Sequence, residues 1–410
     1  MKLVFENVDE RRNFYLCEDI CKSGITRFAP APILNHWRHL KLHNIDEVDD
    51  KYIIPSGVNH CPEDWSGHKP FSRVVTLFKY LSPKYLSDLQ NNKALLLLDQ
   101  SLEGYHQTWL FQYFHKECAR WKIDPTNIIY ITGNMDVKKD YETWLIDNPQ
   151  DKLLHVLPYV HFEKDMFKLS QELELDTSVK NNIKYKAKNN IKLFNCLNKR
   201  DRNHRAWFYT KLFRAGLLDD GLISMPNFSS GHYMDGQSID PETILQANKT
   251  LPRWIDEPNT LHDDNFYIRR IRYDICLDSY ISVISEAHFS EESNTCFISE
   301  KTFKTIASRH PFIILGNKGS LKNLKELGYK TFEGFIDESY DELDTFDRMD
   351  AIIKELQRLK KKDNLKKWFR NLQPILNHNY NRLKNRSLRK NDTVAAIEKI
   401  YSDKFGAQNV

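Results

Sequence analysis

The stretch Lys93–Asn134, "KALLLLDQSLEGYHQTWLFQYFHKECARWKIDPTNIIYITGN", contains the pattern that decides the fold. It opens on a continuous apolar run that ends in Asp99, which is typical of a buried parallel strand. Aromatic and aliphatic residues then recur at helical spacing, and a second apolar run ends in the turn residues Gly133 and Asn134. Strand, helix and strand in this order predict a right-handed βαβ unit.

A second series of the same kind follows in the later half of the chain. The runs "IKLFNCLN" (191–198), "YISVISEAHF" (280–289) and "PFIILG" (311–316) are predicted strands with helical patterns between them, and "YKTFEGF" (329–335) is a predicted short strand. The polar stretch 164–190 separates the two series, so we place a domain boundary there. We therefore predict an α/β fold of two Rossmann-like doubly wound domains that face each other across a cleft.

Composition and length fit this organisation. The chain has 410 residues, of which 40% are hydrophobic and 28% charged, as in globular proteins. The residues near Met1 lack the apolar region of a secretory signal, and the longest aliphatic runs are too short to span a bilayer. The seven scattered cysteines favour reduced thiols. We expect a cytoplasmic protein without a membrane span.

The net charge of +4 is unevenly distributed. Between Lys354 and Lys390 there are thirteen Lys and Arg residues, against only Glu355 and Asp363. Such asymmetry marks either an acidic partner, such as nucleic acid or an anionic membrane, or a solvated face on terminal helices. Both interpretations stay open at this point.

Two clusters in the later half are candidates for binding an anion. The segment "NCLNKRDRNHRAW" (195–207) leads from a predicted strand into a predicted helix, where free N–H groups and the helix dipole favour negative charge. Arginine adds a fork that matches phosphate oxygens. In "SEKTFK", Ser299 is a predicted helix cap that puts Glu300 and Lys301 in the first turn. The alternatives are a basic surface loop and an ordinary surface helix. The candidate residues of the two clusters are Asn198, Lys199, Arg202, Arg205, Glu300 and Lys301.

A third cluster, "DQSLEGY", ends the first predicted strand. A carboxylate of Asp99 or Glu103 at this edge could take the proton from an attacking hydroxyl, although both could equally cap the next helix. The sequence contains no G-x-x-x-x-G-K-[ST], no G-x-G-x-x-G, no H-E-x-x-H and no D-x-D pattern. A transferase that holds a diphosphate through a divalent ion normally needs paired carboxylates, so Arg and Lys are predicted to replace the metal.

These motifs resemble two groups of proteins. "ISEKTFKTIASRHPFIILG" and "NCLNKRDRNHRAWFYTKL" are similar to sugar-nucleotide motifs of the α-1,3-fucosyltransferases, and the order of the motifs from about Lys93 to Tyr340 resembles glycosyltransferase-like proteins of large tailed bacteriophages. The resemblance implies a GT-B architecture, no cofactor and metal-independent inverting transfer. It assigns Arg205 and Lys301 to the diphosphate and Glu300 to hydroxyls, and it implies a carboxylate base from the N-terminal domain. The continuation "EKTFK" departs from the fucosyltransferases, so it implies neither GDP nor fucose.

The resulting hypothesis is a hexosyl- or pentosyltransferase that moves a sugar from a nucleoside-diphosphate sugar to a hydroxyl. Glu103 is its predicted base, with Asp99 second. A hydroxymethylated base in double-stranded phage DNA, held by basic residues 354–390, is one acceptor; a cell-surface glycan or protein is the alternative. A non-catalytic nucleic-acid-binding protein on the same scaffold is the competing hypothesis. The predicted ranges are 1–180 for the acceptor-side domain, 186–375 for the nucleotide-sugar domain, and 376–410 for a basic helical tail that could pack back on the first domain. If the protein is phage-encoded, its expected location is the host cytoplasm.

Overall fold

A computed structural model of the protein describes residues 1–5, 33, 42–57, 78, 81–104, 108–173, 178–228, 232–255, 271–289, 295–388 and 392–406. By its contacts the chain divides into two compact units. The first unit combines Met1–His161 with Lys390–Val410, and the second is Phe162–Arg389. The functional ranges 1–180, 186–375 and 376–410 stay a prediction.

The strands of the described residues are short. They are β1 (Leu3–Phe5), β2 (Leu42–Asn44), β3 (Tyr52–Gly57), β4 (Ala94–Gln100), β5 (Ile128–Thr132), β6 (His155–Pro158), β7 (Lys192–Leu197), β8 (Gly221–Ser224), β9 (Tyr233–Met234), β10 (Gln237–Ser238), β11 (Ser279–Ser285) and β12 (Phe312–Leu315).

The α-helices of the same residues connect these strands or follow them. They are α1 (Pro83–Gln90), α2 (Thr108–Trp121), α3 (Val137–Asp147), α4 (His161–Glu172), α5 (Val179–Lys188), α6 (Asn203–Arg214), α7 (Pro241–Asn248), α8 (Tyr273–Leu277), α9 (Glu300–Ala307), α10 (Ser320–Glu326), α11 (Thr345–Lys360), α12 (Leu365–Asn371), α13 (Gln373–Leu388) and α14 (Asp392–Phe405).

The first unit contains a parallel sheet in the order β2-β1-β3-β4-β5-β6. All seven residues of β4 are buried, because helices cover both faces of the sheet. Leu96 and Leu98 pack on the side of α1, α2 and α3, whereas Leu95 and Leu97 pack with Val394 and Ile397 of α14 on the other. The βαβ unit predicted from Lys93–Asn134 is therefore confirmed.

The second unit has its own parallel sheet, in the order β12-β11-β7-β8. From β7 the chain goes to β8 on one side, and later returns to the other side of β7 as β11, where Ser282 pairs with Asn195. The boundary between β7 and β11 is thus the topological switch point of this sheet. Two parallel α/β sheets confirm the predicted fold class of two Rossmann-like units.

The polar stretch 164–190, interpreted above as a boundary, is mostly helical. Within α4, Phe162 and Phe167 are buried and pack on Phe297 and Tyr380 of the second unit. Glu163 accepts hydrogen bonds from the Tyr329 hydroxyl and from Arg386 Nε, at 2.7 and 2.5 Å. The stretch therefore belongs to the packed body of the second unit, and only some of its polar side chains, such as Lys168, Gln171 and Lys184, are exposed on α4 and α5.

One buried lysine of α5 stabilises the start of β11. Lys186 Nζ donates to the carbonyl oxygens of Cys276 and Leu277, at 2.8 and 2.7 Å, and to that of Ser279. It also lies 4.9 Å from the centre of the Phe369 ring. Burial lowers the pKa of Lys186 to about 7. Lys186 therefore connects α5 to the start of β11 and is not a surface charge.

The short strand predicted for 329–335 is wrong. This segment forms only an isolated bridge between Glu333 and Ile336. Tyr329 and Phe332 are nevertheless buried, since they pack on Phe303 and Phe312 at ring distances of 6.0 and 5.0 Å. Their apolar character reflects this packing and not strand pairing.

Candidate functional site

The candidate site lies at the carboxyl edge of the second sheet, beside its switch point. β7 and β11 are parallel neighbours, so the segments that follow them, 198–202 and 286–289, leave the sheet at the same edge. α6 begins after the first segment, and α9 begins at this edge because it connects β11 to the parallel strand β12. Two helix N-termini and two loops therefore meet where open α/β sheets bind their ligands.

Direct contacts join the two loops. Arg202 Nη1 donates to the carbonyl oxygen of Ala287 at 2.6 Å, and His204 Nε2 lies 3.1 Å from the carbonyl oxygen of Glu286. The N-cap residue of α6 is Arg202, whose side chain makes no capping hydrogen bond to the helix. An anion can therefore take the place of an N-cap side chain at the first N–H groups of α6.

Arg205 is the central cation of the site. Arg205 is only 5% exposed, and its Nη1 donates to the carbonyl oxygen of Arg200 at 3.2 Å. Burial, together with the charge of Arg202, lowers the pKa of Arg205 to about 10, while Glu300 and Glu286 oppose this shift. The guanidinium therefore stays charged at neutral pH. Its Nε makes no hydrogen bond within the described part of the chain.

The start of α9 shows how the adjacent acidic and basic residues Glu300 and Lys301 interact. Ser299 is the N-cap, as predicted, and its hydroxyl accepts from the N–H of Lys301 at 3.3 Å. Lys301 Nζ lies 2.9 Å from Glu300 Oε1 and 3.2 Å from Ser299 Oγ. Burial alone would raise the pKa of Glu300, but the charges of Lys301 and Lys304 lower it to about 2. The carboxylate fixes the ammonium group, which would otherwise be unfavourable at a helix N-terminus.

The two predicted clusters therefore belong to one site. Arg205 and Glu300 interact through their charges, and the loop contacts above connect the segments that carry them. Lys199 is half-buried and Asn198 is buried in the loop after β7, where Asn198 N–H donates to the carbonyl oxygen of Ser224 at 2.8 Å. The structure thus brings all six predicted residues of the second unit to one edge, whereas their roles in binding stay predictions.

Two further residues of this edge were missed from the sequence. Glu286, directly after β11, is 2% exposed; its Oε1 accepts from Ser299 N–H at 3.2 Å and from the Thr302 hydroxyl at 2.7 Å. Lys304 lies one turn after Lys301, and burial lowers its pKa to about 8 while Glu300 raises it. Asp99 was selected because it is the first charged residue at the end of a buried apolar run. The same criterion would have selected Glu286, which directly follows β11.

The two carboxylates predicted as bases lie in the first unit and differ in their surroundings. Asp99 is buried, and its Oδ2 and Oδ1 accept from the N–H groups of Ile33 and Ser101, each at 2.9 Å. Burial raises the pKa of Asp99, and these hydrogen bonds oppose the rise. Glu103 is half-buried in the loop after β4. Both carboxylate oxygens of Asp99 thus accept hydrogen bonds from the backbone, so Glu103 stays the preferred prediction for the catalytic base.

The basic stretch 354–390 is partly used within the second unit. Five of its cations contact acidic side chains or carbonyl oxygens of this unit: Arg358 with Glu355, Lys360 with Asp220, Lys366 with Ala187, Arg382 with Leu327 and Arg386 with Glu163. Lys361, Lys362, Lys367 and Arg370 are exposed. The solvated-face interpretation and a polyanion contact are therefore both compatible with the exposed subset.

The described residues contain no group of three or more His, Cys, Asp or Glu side chains arranged to hold a metal ion. Among the same residues, none of the helices has the length and apolar character needed to cross a membrane. Metal independence stays a prediction, since it concerns the reaction.

No protein-family model matches the sequence, and no curated protein matches it significantly. Among solved structures, the chain is similar to a UDP-forming α,α-trehalose-phosphate synthase from Burkholderia xenovorans, with 10% identity, a TM-score of 0.44, and coverage of 88% of this chain and 76% of that one. It is also similar to the N-terminal domain of Candida albicans trehalose-6-phosphate phosphatase, with 9% identity, a TM-score of 0.46, and coverage of 87% and 72%. A third similar structure is the calicheamicin glycosyltransferase CalG4, with 10% identity, a TM-score of 0.34, and 99% of each chain covered. The fold assignment rests on the two parallel sheets themselves.

Proposed function

We propose that the chain is a glycosyltransferase that binds a nucleoside-diphosphate sugar at the carboxyl edge of the second sheet. The observation that supports this proposal is the convergence of a buried arginine, a fixed lysine and two helix N-termini beside the switch point. Arg205, Lys301 and the first turn of α6 supply hydrogen-bond donors and positive charge of the kind that a diphosphate requires.

The charges of the site suit the chemistry of transfer. When the bond between the sugar and the diphosphate breaks, negative charge grows on the leaving oxygen. Arg205 and Lys301 are held before the reaction by Arg200 and Glu300, so they would stabilise this charge more than the ground state without reorganising. In this proposal Arg202 and Lys199 extend the cationic edge, and no metal ion is required.

The acceptor hydroxyl needs a base from the other unit in this proposal. Glu103 would remove the proton as the hydroxyl attacks the anomeric carbon, and direct displacement would invert that carbon. Asp99 is the less suitable candidate, because both of its oxygens accept backbone N–H groups. The sugar, whether hexose or pentose, is left open.

For the acceptor, we favour a hydroxymethylated base in DNA over a glycan or protein. Lys361, Lys362, Lys367 and Arg370 are exposed, and Asp363 is the only acidic residue of the segment 361–370 that carries them. If it contacts phosphates, affinity for duplex DNA falls steeply with salt, and replacing these four residues with Gln flattens the dependence. DNA binding that is salt-dependent without any nucleotide affinity would instead favour the non-catalytic alternative.

The test of the donor site is titration calorimetry of the full chain with UDP, GDP and CMP, followed by the best ligand's sugar conjugate. We expect one nucleotide to bind and to raise the melting temperature, because a ligand of the folded state must stabilise it. Arg205→Lys keeps the charge but loses the fork, so affinity should fall by about tenfold to a hundredfold, the equivalent of ~1.5–3 kcal/mol for a charge-assisted hydrogen bond.

Arg382→Lys is the matched control, since Arg382 Nε also donates to a backbone carbonyl oxygen, that of Leu327 at 2.8 Å, which is the C-cap of α10 and follows neither β7 nor β11. It should leave nucleotide affinity unchanged. If no nucleotide binds to the wild-type chain, or if both variants lower the affinity equally, the proposed donor site is wrong.

A further inference from the structure

Three buried polar atoms at the donor edge each lack a hydrogen-bond partner among the described residues. They are Asn198 Oδ1, Arg205 Nε and Glu286 Oε2. The residues that carry them are 3%, 5% and 2% exposed. A buried polar atom without a partner is costly, so such atoms in a folded protein point to a group that binds them.

The chemical type of these atoms is informative. Glu286 Oε2 accepts hydrogen bonds only, and the amide of Asn198 is oriented so that Nδ2 faces Cys196 Sγ at 3.4 Å, which leaves its oxygen as the unpaired end. Phosphate oxygens are acceptors and carry negative charge, so they cannot donate a hydrogen bond to either atom. Hydroxyl groups are donors and fit both atoms.

The rest of the Glu286 carboxylate is fixed. Its Oε1 accepts from Ser299 N–H and from the Thr302 hydroxyl, which ties the end of β11 to the first turn of α9. This anchoring leaves Oε2 little freedom to find another partner within the chain. The cations Lys301 and Lys304, by contrast, lie on α9 and are only partly buried.

Resting on the proposed function, we infer that Glu286 and Asn198 form an acceptor-rich floor that binds hydroxyl groups of the nucleotide-sugar donor, while Arg205 and Lys301 bind its diphosphate. This assignment gives Asn198 a different role from the diphosphate contact predicted from the sequence. It also orients the donor, because hydroxyls turn toward β7 and β11 and phosphates toward the helix N-termini. Glu286 is then a specificity-determining residue that rejects ligands without a hydroxyl.

The decisive variant is Glu286→Gln. The amide keeps an oxygen for Ser299 and Thr302 but places an NH₂ group where Oε2 was, which cannot accept a hydrogen bond from a hydroxyl. It also removes a negative charge beside the cations. We expect affinity for the nucleoside diphosphate or its sugar conjugate to fall about tenfold or more, whereas affinity for inorganic pyrophosphate stays unchanged or rises.

Comparing the nucleoside diphosphate with its sugar conjugate shows whether the bound hydroxyl belongs to the ribose or to the transferred sugar. If the nucleoside diphosphate and its sugar conjugate weaken together, the hydroxyl belongs to the ribose; if only the conjugate weakens, it belongs to the transferred sugar. Asn198→Val, which removes the amide, should show the same contrast with pyrophosphate, and it serves as the second variant if Glu286→Gln does not fold.

The matched control is Asp341→Asn. Asp341 is also a buried carboxylate of the second unit, and it accepts from the N–H groups of Leu321 and Lys322 at the start of α10. Its replacement should lower the melting temperature without changing the ratio of nucleotide to pyrophosphate affinity.

Two results would overturn the inference in distinguishable ways. If the wild type binds pyrophosphate and nucleotides, but Glu286→Gln strengthens or weakens both to the same extent, Glu286 acts only through its charge or through the position of α9. If the wild type binds neither, the proposed donor site itself is wrong, and the floor has no ligand to recognise.

Discussion

The Glu300–Lys301 pair makes a prediction that can be tested without any ligand. Glu300→Gln keeps the shape of the side chain and removes the carboxylate that lies 2.9 Å from Lys301 Nζ. Burial tends to raise the pKa of Glu300, yet Lys301 and Lys304 lower it to about 2 from an ordinary value of 4.5. The folded state therefore prefers the charged carboxylate more strongly than the unfolded state does.

The sign and size of the effect follow from this difference. A carboxyl group whose pKa is lowered on folding contributes stability that is complete above its unfolded pKa and is lost as the pH falls through its folded pKa. A pKa that is lowered from 4.5 to about 2 corresponds to about 3 kcal/mol at pH 7 and to less than half of that at pH 3. The Glu300 side chain is 16% exposed, so screening by solvent reduces these values. We expect Glu300→Gln to lower the free energy of unfolding by about 1–3 kcal/mol at pH 7 and by less than half of that at pH 3.

The assay is urea unfolding of the wild type and the variant at pH 7, 5, 4 and 3, followed by far-ultraviolet circular dichroism. The control is Glu333→Gln, which removes an exposed partner of Lys325 at 3.3 Å and should change the free energy of unfolding by less than about 0.5 kcal/mol. A loss in Glu300→Gln that is equal at all pH values, or absent at pH 7, would show that the carboxylate is not held charged by its lysines.

Two further predictions concern the chemistry of each unit. Burial lowers the pKa of Lys304 to about 8, although Glu300 raises it, so the ammonium group loses its charge as the pH rises from 7 to 9. Calorimetry should show the affinity for a diphosphate falling by about threefold to tenfold over this range. Lys304→Arg stays charged throughout and should abolish the fall. In the first unit, Asp99→Asn leaves only one acceptor oxygen for the N–H groups of Ile33 and Ser101, so urea unfolding should show the fold destabilised by about 1–3 kcal/mol. Glu103→Gln should abolish transfer in a folded protein, and transfer that persists in this variant would contradict the assignment of Glu103 as the base.

The parts of the fold that were predicted correctly carry strong local signals. The run Ala94–Gln100 is buried on both faces, so it contains no polar alternation that could suggest an exposed strand or a loop. Ser299 is the N-cap of α9 because its side chain satisfies a backbone N–H that the helix cannot, and this preference can be read from one residue. Signals of this kind depend only on neighbours in the sequence.

The parts that were missed depend on partners far along the chain. Phe162 and Phe167 define the buried side of α4 by packing on Phe297 and Tyr380. The charged residues between them make the average composition of the segment polar, so the sequence does not show this apolar face. Lys186 is buried because the carbonyl oxygens before β11 and the ring of Phe369 receive its ammonium group. Nothing near Lys186 in the sequence indicates this environment.

The candidate site combines both kinds of information. The local rule selects polar residues at the ends of buried strands as candidate site residues. It does not rank Asn198 and Arg205 above Asp99, and it also selects Glu286. What distinguishes the residues after β7 and β11 from the carboxylate after β4 is the order of strands: β7 and β11 flank a switch point, whereas β4 lies between β3 and β5 in a run that continues in one direction. At a switch point the connecting helices lie on opposite faces of the sheet, so their N-termini approach the same edge from both sides. Because strand order is set by long-range pairing, the sequence could supply the groups of the site but not the reason that those groups meet at one edge of the sheet.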